Sequence, residues 1–175
     1  SSHLRMRKHD LATERTRAAV EAIFERTEDL GRGGVELEVL TVDNPVDHVL
    51  LLERLRRADP VRAADVEKLL LWNGGNQSGV AIAAIDPQGL VHPDQSSWQV
   101  NAGDVRRQRF AEIWRDQNPV LGPYRRRPRR LSGRCEHCRF AQLCNGGLPA
   151  RSHSASGDPW SPDPACYLSD AEIAE

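Results

Sequence analysis

Four cysteines concentrate the chemistry of this 175-residue chain: Cys135, Cys138, Cys144 and Cys166. The 134 residues before them contain no other thiol, and the spacing reads Cys-x2-Cys-x5-Cys-x21-Cys. A Cys-x2-Cys turn sets two sulfurs on the same side of a loop. The third follows one short turn later, and the fourth closes the loop from the far end of the chain. Four thiolates suit tetrahedral zinc or an iron–sulfur cluster, and spacing alone does not separate the two. His137 lies between two of the thiols, but four sulfurs already complete a shell, which leaves its imidazole outside it. With no signal-peptide-like start, clustered thiols point to a metal rather than to disulfides.

The elements that must position these thiols are unevenly spread. Hydrophobic residues make up 39% of the chain, enough for a modest core. The 24 Lys and Arg nearly cancel the 25 Asp and Glu, which argues against a protein that coats nucleic acid. No long apolar run is present, so the expectation is a cytoplasmic protein with no membrane span. Between Asp10 and Leu30, apolar residues recur at helical spacing and Gly31 supplies a stop. Alternation from Val35 to Val42 predicts a strand. Asn44-Pro45 and Asp59-Pro60 read as cap-plus-first-turn pairs opening helices over Pro45 to Arg57 and Pro60 to Trp72. Helix, strand, helix is the rhythm of an α/β crossover, here a slice of a larger α/β domain.

Past a glycine-rich hinge at residues 73–79, Asp86-Pro87-Gln88-Gly89 predicts a hairpin between Gly79–Ile85 and Leu90–His92. A short helix is expected at about Arg109 to Gln117, carrying Phe110, Ile113 and Trp114. From Pro119 onward the chain is rich in Pro, Gly, Arg and Ser. It holds too few large apolar side chains to offset its ordering entropy, so it needs a metal staple or docking on the hairpin.

The run from Gly89 to Asp170 resembles the auxiliary domain, of SPASM/twitch type, of radical S-adenosylmethionine enzymes. The landmarks are Gly89-Leu90-Val91-His92-Pro93, Gly103-Asp104-Val105, Phe110-x2-Ile113-Trp114, the cysteine run with Gly146-Gly147, and Asp163-Pro164-x-Cys166. Trp72-Asn73-Gly74-Gly75-Asn76, Thr41-Val42-Asp43-Asn44 and His92-Pro93-Asp94-Gln95 are similar to the d1-haem biosynthesis branch of that superfamily, which trims propionates from sirohaem-derived tetrapyrroles.

The resemblance implies a C-terminal portion of a partial (β/α) barrel at residues 1–72. An irregular α+β auxiliary domain at 73–175 would follow, holding one 4Fe-4S cluster on Cys135, Cys138, Cys144 and Cys166. The family's Cys-x3-Cys-x2-Cys motif, which binds the catalytic cluster and S-adenosylmethionine, is absent from this sequence. By resemblance, the cofactor and a second 4Fe-4S cluster belong to a missing N-terminal half, no catalytic residue lies in this chain, and the chain alone is inactive. The implied partners are a tetrapyrrole substrate and a reductant such as flavodoxin or ferredoxin. A peptide-modifying maturase of the same superfamily and a zinc-stapled interaction module remain as alternatives.

In that light Arg125, Arg126 and Arg127 open a run of five arginines in six positions, able to clamp tetrapyrrole carboxylates or simply to face water. His92, Asp94 and Gln95 stand where relatives place a cluster ligand, and could approach substrate or satisfy a turn. Trp98 and Trp160 could stack on a macrocycle or fill a core.

Overall fold

Residues 11–115 and 117–174 are described by a computed structural model. The first predicted helix is α1, Thr13–Arg32, which turns Val20 and Phe24 toward the core. Its predicted start at Asp10 and the segment Ser1 to His9 lie outside the described residues. The helix ends two residues later than expected, where the Gly33 amide returns to the Asp29 carbonyl and Gly34 adopts a φ of +81°.

Val35 to Val42 does not form the predicted strand. Among the described residues no strand pairs with it, and Leu40 and Val42 are 75% and 77% exposed. Alternation makes a strand only where a neighbour supplies the complementary amides and carbonyls, which is a property of the surroundings and not of the segment. The expected helix–strand–helix unit is therefore helix, irregular connection, helix.

The next two helices are α2, Val46–Ala58, and α3, Pro60–Asn73. Asp59 caps α3 as expected, its carboxylate accepting the Arg62 amide at 3.0 Å, with Pro60 in the first turn. Asn44 does not cap α2. Its side-chain amide donates to Asp47 Oδ1 at 2.7 Å, and the helix opens at Val46.

The sheet has three strands, β1 (Ala84–Ile85), β2 (Leu90–His92) and β3 (Gly103–Asp104), antiparallel in that order. The predicted turn is present: Asp86 Oδ1 accepts the Gln88 and Leu90 amides, and Gly89 takes a φ of +83°. β1 is shorter than expected because Val80, Ala81 and Ile82 all donate to the Gln77 carbonyl, folding the chain into a tight turn instead. The predicted helix near residue 110 is the single turn α4, Phe110–Ile113. Short helices α5 (Gly122–Arg125), α6 (Ala141–Cys144), α7 (Pro149–Ser156) and α8 (Asp170–Ala174) follow, with a 3-10 turn at Gly133–Cys135. The described architecture is thus helical with a small antiparallel sheet. No helix among the described residues is long and apolar enough to cross a membrane.

Two cores hold these elements. Val20, Val46, Val49, Leu50, Leu52 and Ala63 pack with Phe140, Leu143, Tyr167, Leu168 and Ile173 from the tail. Val91, Ala102 and Ile113 pack with Leu121. Fully buried side chains such as Val49 and Leu52 each contribute about 1.5–3 kcal/mol. Leu121 docks on the sheet, as anticipated for the tail. The cysteine-bearing part docks on α1, α2 and α3, so the larger core runs across the 72/73 boundary drawn from the sequence.

Candidate metal centre

The cysteine loops are shaped by left-handed residues. After the 3-10 turn, Cys138 donates its amide to the Cys135 carbonyl, and α6 delivers Cys144 through a bond to the Phe140 carbonyl at 2.9 Å. The next three residues are all left-handed, with φ of 56° at Asn145, 85° at Gly146 and 71° at Gly147. Neither glycine has room for a side chain. A Cβ on Gly146 would strike Leu131 Cδ2, and one on Gly147 would strike the Asp163 carboxylate. Gly75, from the hinge after α3, approaches so closely that its Cβ would strike the Cys144 carbonyl. Gly75, Gly146 and Gly147 are therefore contact points that wrap the chain around the Cys144 loop.

Asp163 ties the loops together. Its Oδ2 accepts the Leu148 amide at 2.8 Å, its Oδ1 accepts the Ala165 amide at 2.9 Å, and Arg151 donates to both oxygens at 2.6 and 2.7 Å. Arg151 also donates to the Asp43 carbonyl, which joins the irregular connection to the tail. Nearby, the Tyr167 hydroxyl donates to Asp47 Oδ1 at 2.7 Å inside the core. Burial raises the Tyr167 phenol well above its ordinary value, and the Asp47 hydrogen bond adds to the rise.

Within this frame Cys135, Cys138, Cys144 and Cys166 line one cavity of about 30 Å³, walled elsewhere mainly by Val46, Leu131, Phe140 and Leu168. Burial raises the Cys144 thiol to about 12 and Cys135 to about 11, and the neighbouring sulfur of Cys166 reinforces both shifts. Cys166 is raised by burial as well. Backbone amides work in the opposite sense. Those of Gly147 and Gly146 favour the Cys144 thiolate, that of Leu168 favours Cys166, and that of Asp163 favours Cys135. Amides aimed at sulfurs in an apolar cavity suit thiolates held by a cationic group, which offsets both the burial and the mutual repulsion. The donor set therefore fits a thiolate-ligated metal centre. Among the described residues, no three His, Cys, Asp or Glu side chains stand in a geometry that would hold a metal ion directly. The four cysteines line one cavity. His137 is exposed and outside it.

The other candidates lie elsewhere. His92 is buried, with Nδ1 at 2.7 Å from the Val100 carbonyl and Nε2 at 3.3 Å from Asp86 Oδ2. Asp94 accepts the Ser96 and Ser97 amides and the Ser97 hydroxyl, closing the turn after β2. Gln95 is exposed, its Nε2 at 3.5 Å from Asp43 Oδ2. Arg125 donates to the Gly79, Arg115 and Trp114 carbonyls and stacks over Trp114. Arg127 donates to the Tyr124, Arg126 and Asn76 carbonyls, and Arg126 faces solvent. Trp160 meets Tyr124 edge-on at 5.0 Å, whereas Trp98 is half exposed.

Sequence reasoning missed Asp163 and Arg151 as the tie between the loops. Asp163 stands in the Asp163-Pro164-x-Cys166 landmark, but no periodicity marks a buried acid as the tie. It also missed Arg129, the one buried member of its arginine run, which nothing in the run itself distinguishes.

Comparison with known proteins agrees with the landmarks. The chain is 40% identical over 173 residues to Fe-coproporphyrin III synthase of Methanosarcina barkeri, covering 97% of this chain and 43% of that protein. It is 40% identical over 168 residues to pre-heme d1 synthase of Dinoroseobacter shibae, covering 95% of this chain and 42% of that protein. An AdoMet-dependent heme synthase of Oleidesulfovibrio alaskensis is 33% identical over 92 residues, 53% of this chain and 23% of that protein. The chain thus spans less than half the length of these relatives. No family model and no solved structure matches it.

Proposed function

We propose that this chain forms the C-terminal part of a radical S-adenosylmethionine enzyme of tetrapyrrole metabolism and holds one auxiliary 4Fe-4S cluster on Cys135, Cys138, Cys144 and Cys166. The observation that carries the proposal is the ring of four thiols about a single apolar-walled cavity, with backbone amides directed at three of the sulfurs. A tetrahedral zinc with Zn–S bonds near 2.3 Å requires sulfurs about 3.8 Å apart. The landmark residues shared with the SPASM/twitch domain favour the wider cluster over zinc. The relatives' names favour a tetrapyrrole over a peptide substrate.

When bound, an auxiliary cluster supplies a one-electron donor or acceptor. The chain's own residues do the rest. Gly146, Gly147 and Leu168 direct N–H groups at sulfur, Val46, Leu131 and Phe140 exclude water, and Asp163 with Arg151 fixes the loops that carry Cys144 and Cys166. In this proposal residues 1–72 complete a (β/α) barrel, residues 73–175 form the auxiliary domain, and the S-adenosylmethionine site with its own cluster lies in the rest of the enzyme. The substrate would be a sirohaem-derived tetrapyrrole processed at its propionates, with a flavodoxin or ferredoxin as reductant. Arg126 and Gln95, both exposed, are the candidates best placed to meet carboxylates.

Anaerobic reconstitution with iron and sulfide tests the metal assignment. A brown protein with about four irons and four sulfides per chain, lost in Cys144→Ser, is expected. A colourless protein that takes up one zinc and no sulfide would overturn it in favour of the zinc-stapled module.

A further inference from the structure

Arg129 is a buried cation without an acid. Its residue is 4% exposed, yet among the described residues no carboxylate pairs with it. Its guanidinium donates instead to neutral oxygens: Nε to the Tyr124 carbonyl at 3.1 Å, Nη1 to the Asn145 carbonyl at 3.3 Å, and Nη2 to the Asn76 carbonyl and Oδ1, both at 3.1 Å. Tyr124 and Trp160 lie beneath it at 5.9 and 5.8 Å. A charge buried among dipoles and rings is expensive to retain, and an uncharged side chain would pack there more easily. Burial, then the neighbouring Arg127, pulls its pKa down to about 10, which still leaves it charged at neutral pH.

The site next door explains why a cation is kept. Asn145, whose carbonyl and side-chain oxygen Arg129 holds through its Nη1 and backbone amide, directly follows Cys144. Tyr124, then the Cys144 sulfur and Asp94, are the groups whose negative forms would favour the Arg129 cation; the Tyr124 phenol is held protonated by burial, and the Asp94 oxygens are already engaged by Ser96 and Ser97. Resting on the cluster assignment above, we propose that Arg129 is the buried counter-charge of the cysteine site, raising the potential of the group held there. Four thiolates outweigh the positive core of a cluster, so the loaded site is an anion that becomes more negative on reduction. A fixed cation one residue from a ligand stabilises the reduced form more than the oxidised one.

The test is a redox titration of the reconstituted chain with dithionite and mediators, following the EPR signal of the reduced cluster. Arg129→Gln removes the charge. Asn76→Asp keeps the packing and sets a carboxylate against Nη2, neutralising the cation in place, so it decides the matter even if Arg129→Gln does not fold. Both should lower the reduced-to-oxidised ratio at a given potential by at least tenfold, equivalent to about 59 mV for one electron. Arg129→Lys should stay within about threefold of wild type. Loaded variants whose ratio does not move would overturn the proposal and leave the cluster assignment standing. An Arg129→Lys shift as large as that of Arg129→Gln would also overturn it, assigning the effect to hydrogen-bond geometry. A wild-type chain that takes up no iron and sulfide would remove both.

Discussion

Replacing Asp163 by alanine should loosen the cysteine loops more than any single exposed change. The carboxylate is 4% exposed and accepts four hydrogen bonds, two from Arg151 and one each from the Leu148 and Ala165 amides. Removing one partner of a buried ion pair costs about 3–5 kcal/mol. The Arg151 side chain is 30% exposed, so water can recover part of that loss. The two amides left without acceptors add about 1 kcal/mol each when water reaches them incompletely. The expected net loss for Asp163→Ala is about 3–4 kcal/mol, and about 2 kcal/mol for Asp163→Asn, which still accepts one amide bond but cannot balance Arg151. Urea unfolding of the metal-free chain, followed by far-ultraviolet circular dichroism at constant slope, measures both. With Arg151→Met in a double-mutant cycle, the coupling should exceed about 1 kcal/mol. A loss below about 1 kcal/mol with no coupling would show that the loops are held by their apolar contacts and not by this tie.

Further outcomes follow from the same contacts. Gly75→Ala places a side chain against the Cys144 carbonyl at a φ of +73°, and should lower unfolding stability by more than about 2 kcal/mol in the same urea assay. Tyr167→Phe leaves Asp47 with Asn44 as its side-chain partner, and should cost about 1–2 kcal/mol with the fold intact by circular dichroism. Both of the chain's two tyrosines are raised, Tyr124 to about 12 by burial and then Asp94, so no tyrosinate absorbance should develop at their ordinary value of 10.0 while the protein is folded. The unfolded chain releases each phenolic proton first. These groups therefore support the fold below pH 10, and that support is lost as pH rises toward 12. Stripping the proposed cluster from the reconstituted chain with a chelator should release amide protection in residues 133–147 and 163–166 while α2 and α3 keep theirs, as read by hydrogen exchange.

What the sequence discloses and what it withholds divide along a physical line. Asp59-Pro60 and Asp86-Pro87-Gln88-Gly89 were legible because a cap and a turn are complete within a few residues: the acceptor, the donor and the fixed φ are all local. Cys-x2-Cys likewise keeps two sulfurs on one short loop whatever surrounds it, and the four thiols do line one cavity. Val35 to Val42 was misread because a strand's second half is another strand, and pairing is decided elsewhere in space. The roles of arginines were the least legible. Arg125, Arg126, Arg127 and Arg129 are chemically identical neighbours, yet one faces water, two saturate backbone carbonyls and one is buried.

That sorting is itself informative about the site. The hinge after α3 reaches the cysteine loop twice, through the close approach of Gly75 to Cys144 and through Asn76, which shares Arg129 with Asn145. Asp43 and Asn44 reach it a third time through Arg151. The Thr41–Asn44 and Trp72–Asn76 landmarks lie far from the thiols in sequence, but each ends in backbone that braces a cysteine-bearing loop. A shift of α2 or α3 by the width of one hydrogen bond would therefore move Cys144 and Cys166 relative to each other. The spacing of the four thiols is governed by the helical core as much as by the loops, so Val49→Ala or Leu52→Ala should lower iron uptake at the proposed cluster site on reconstitution while circular dichroism still reads a folded chain.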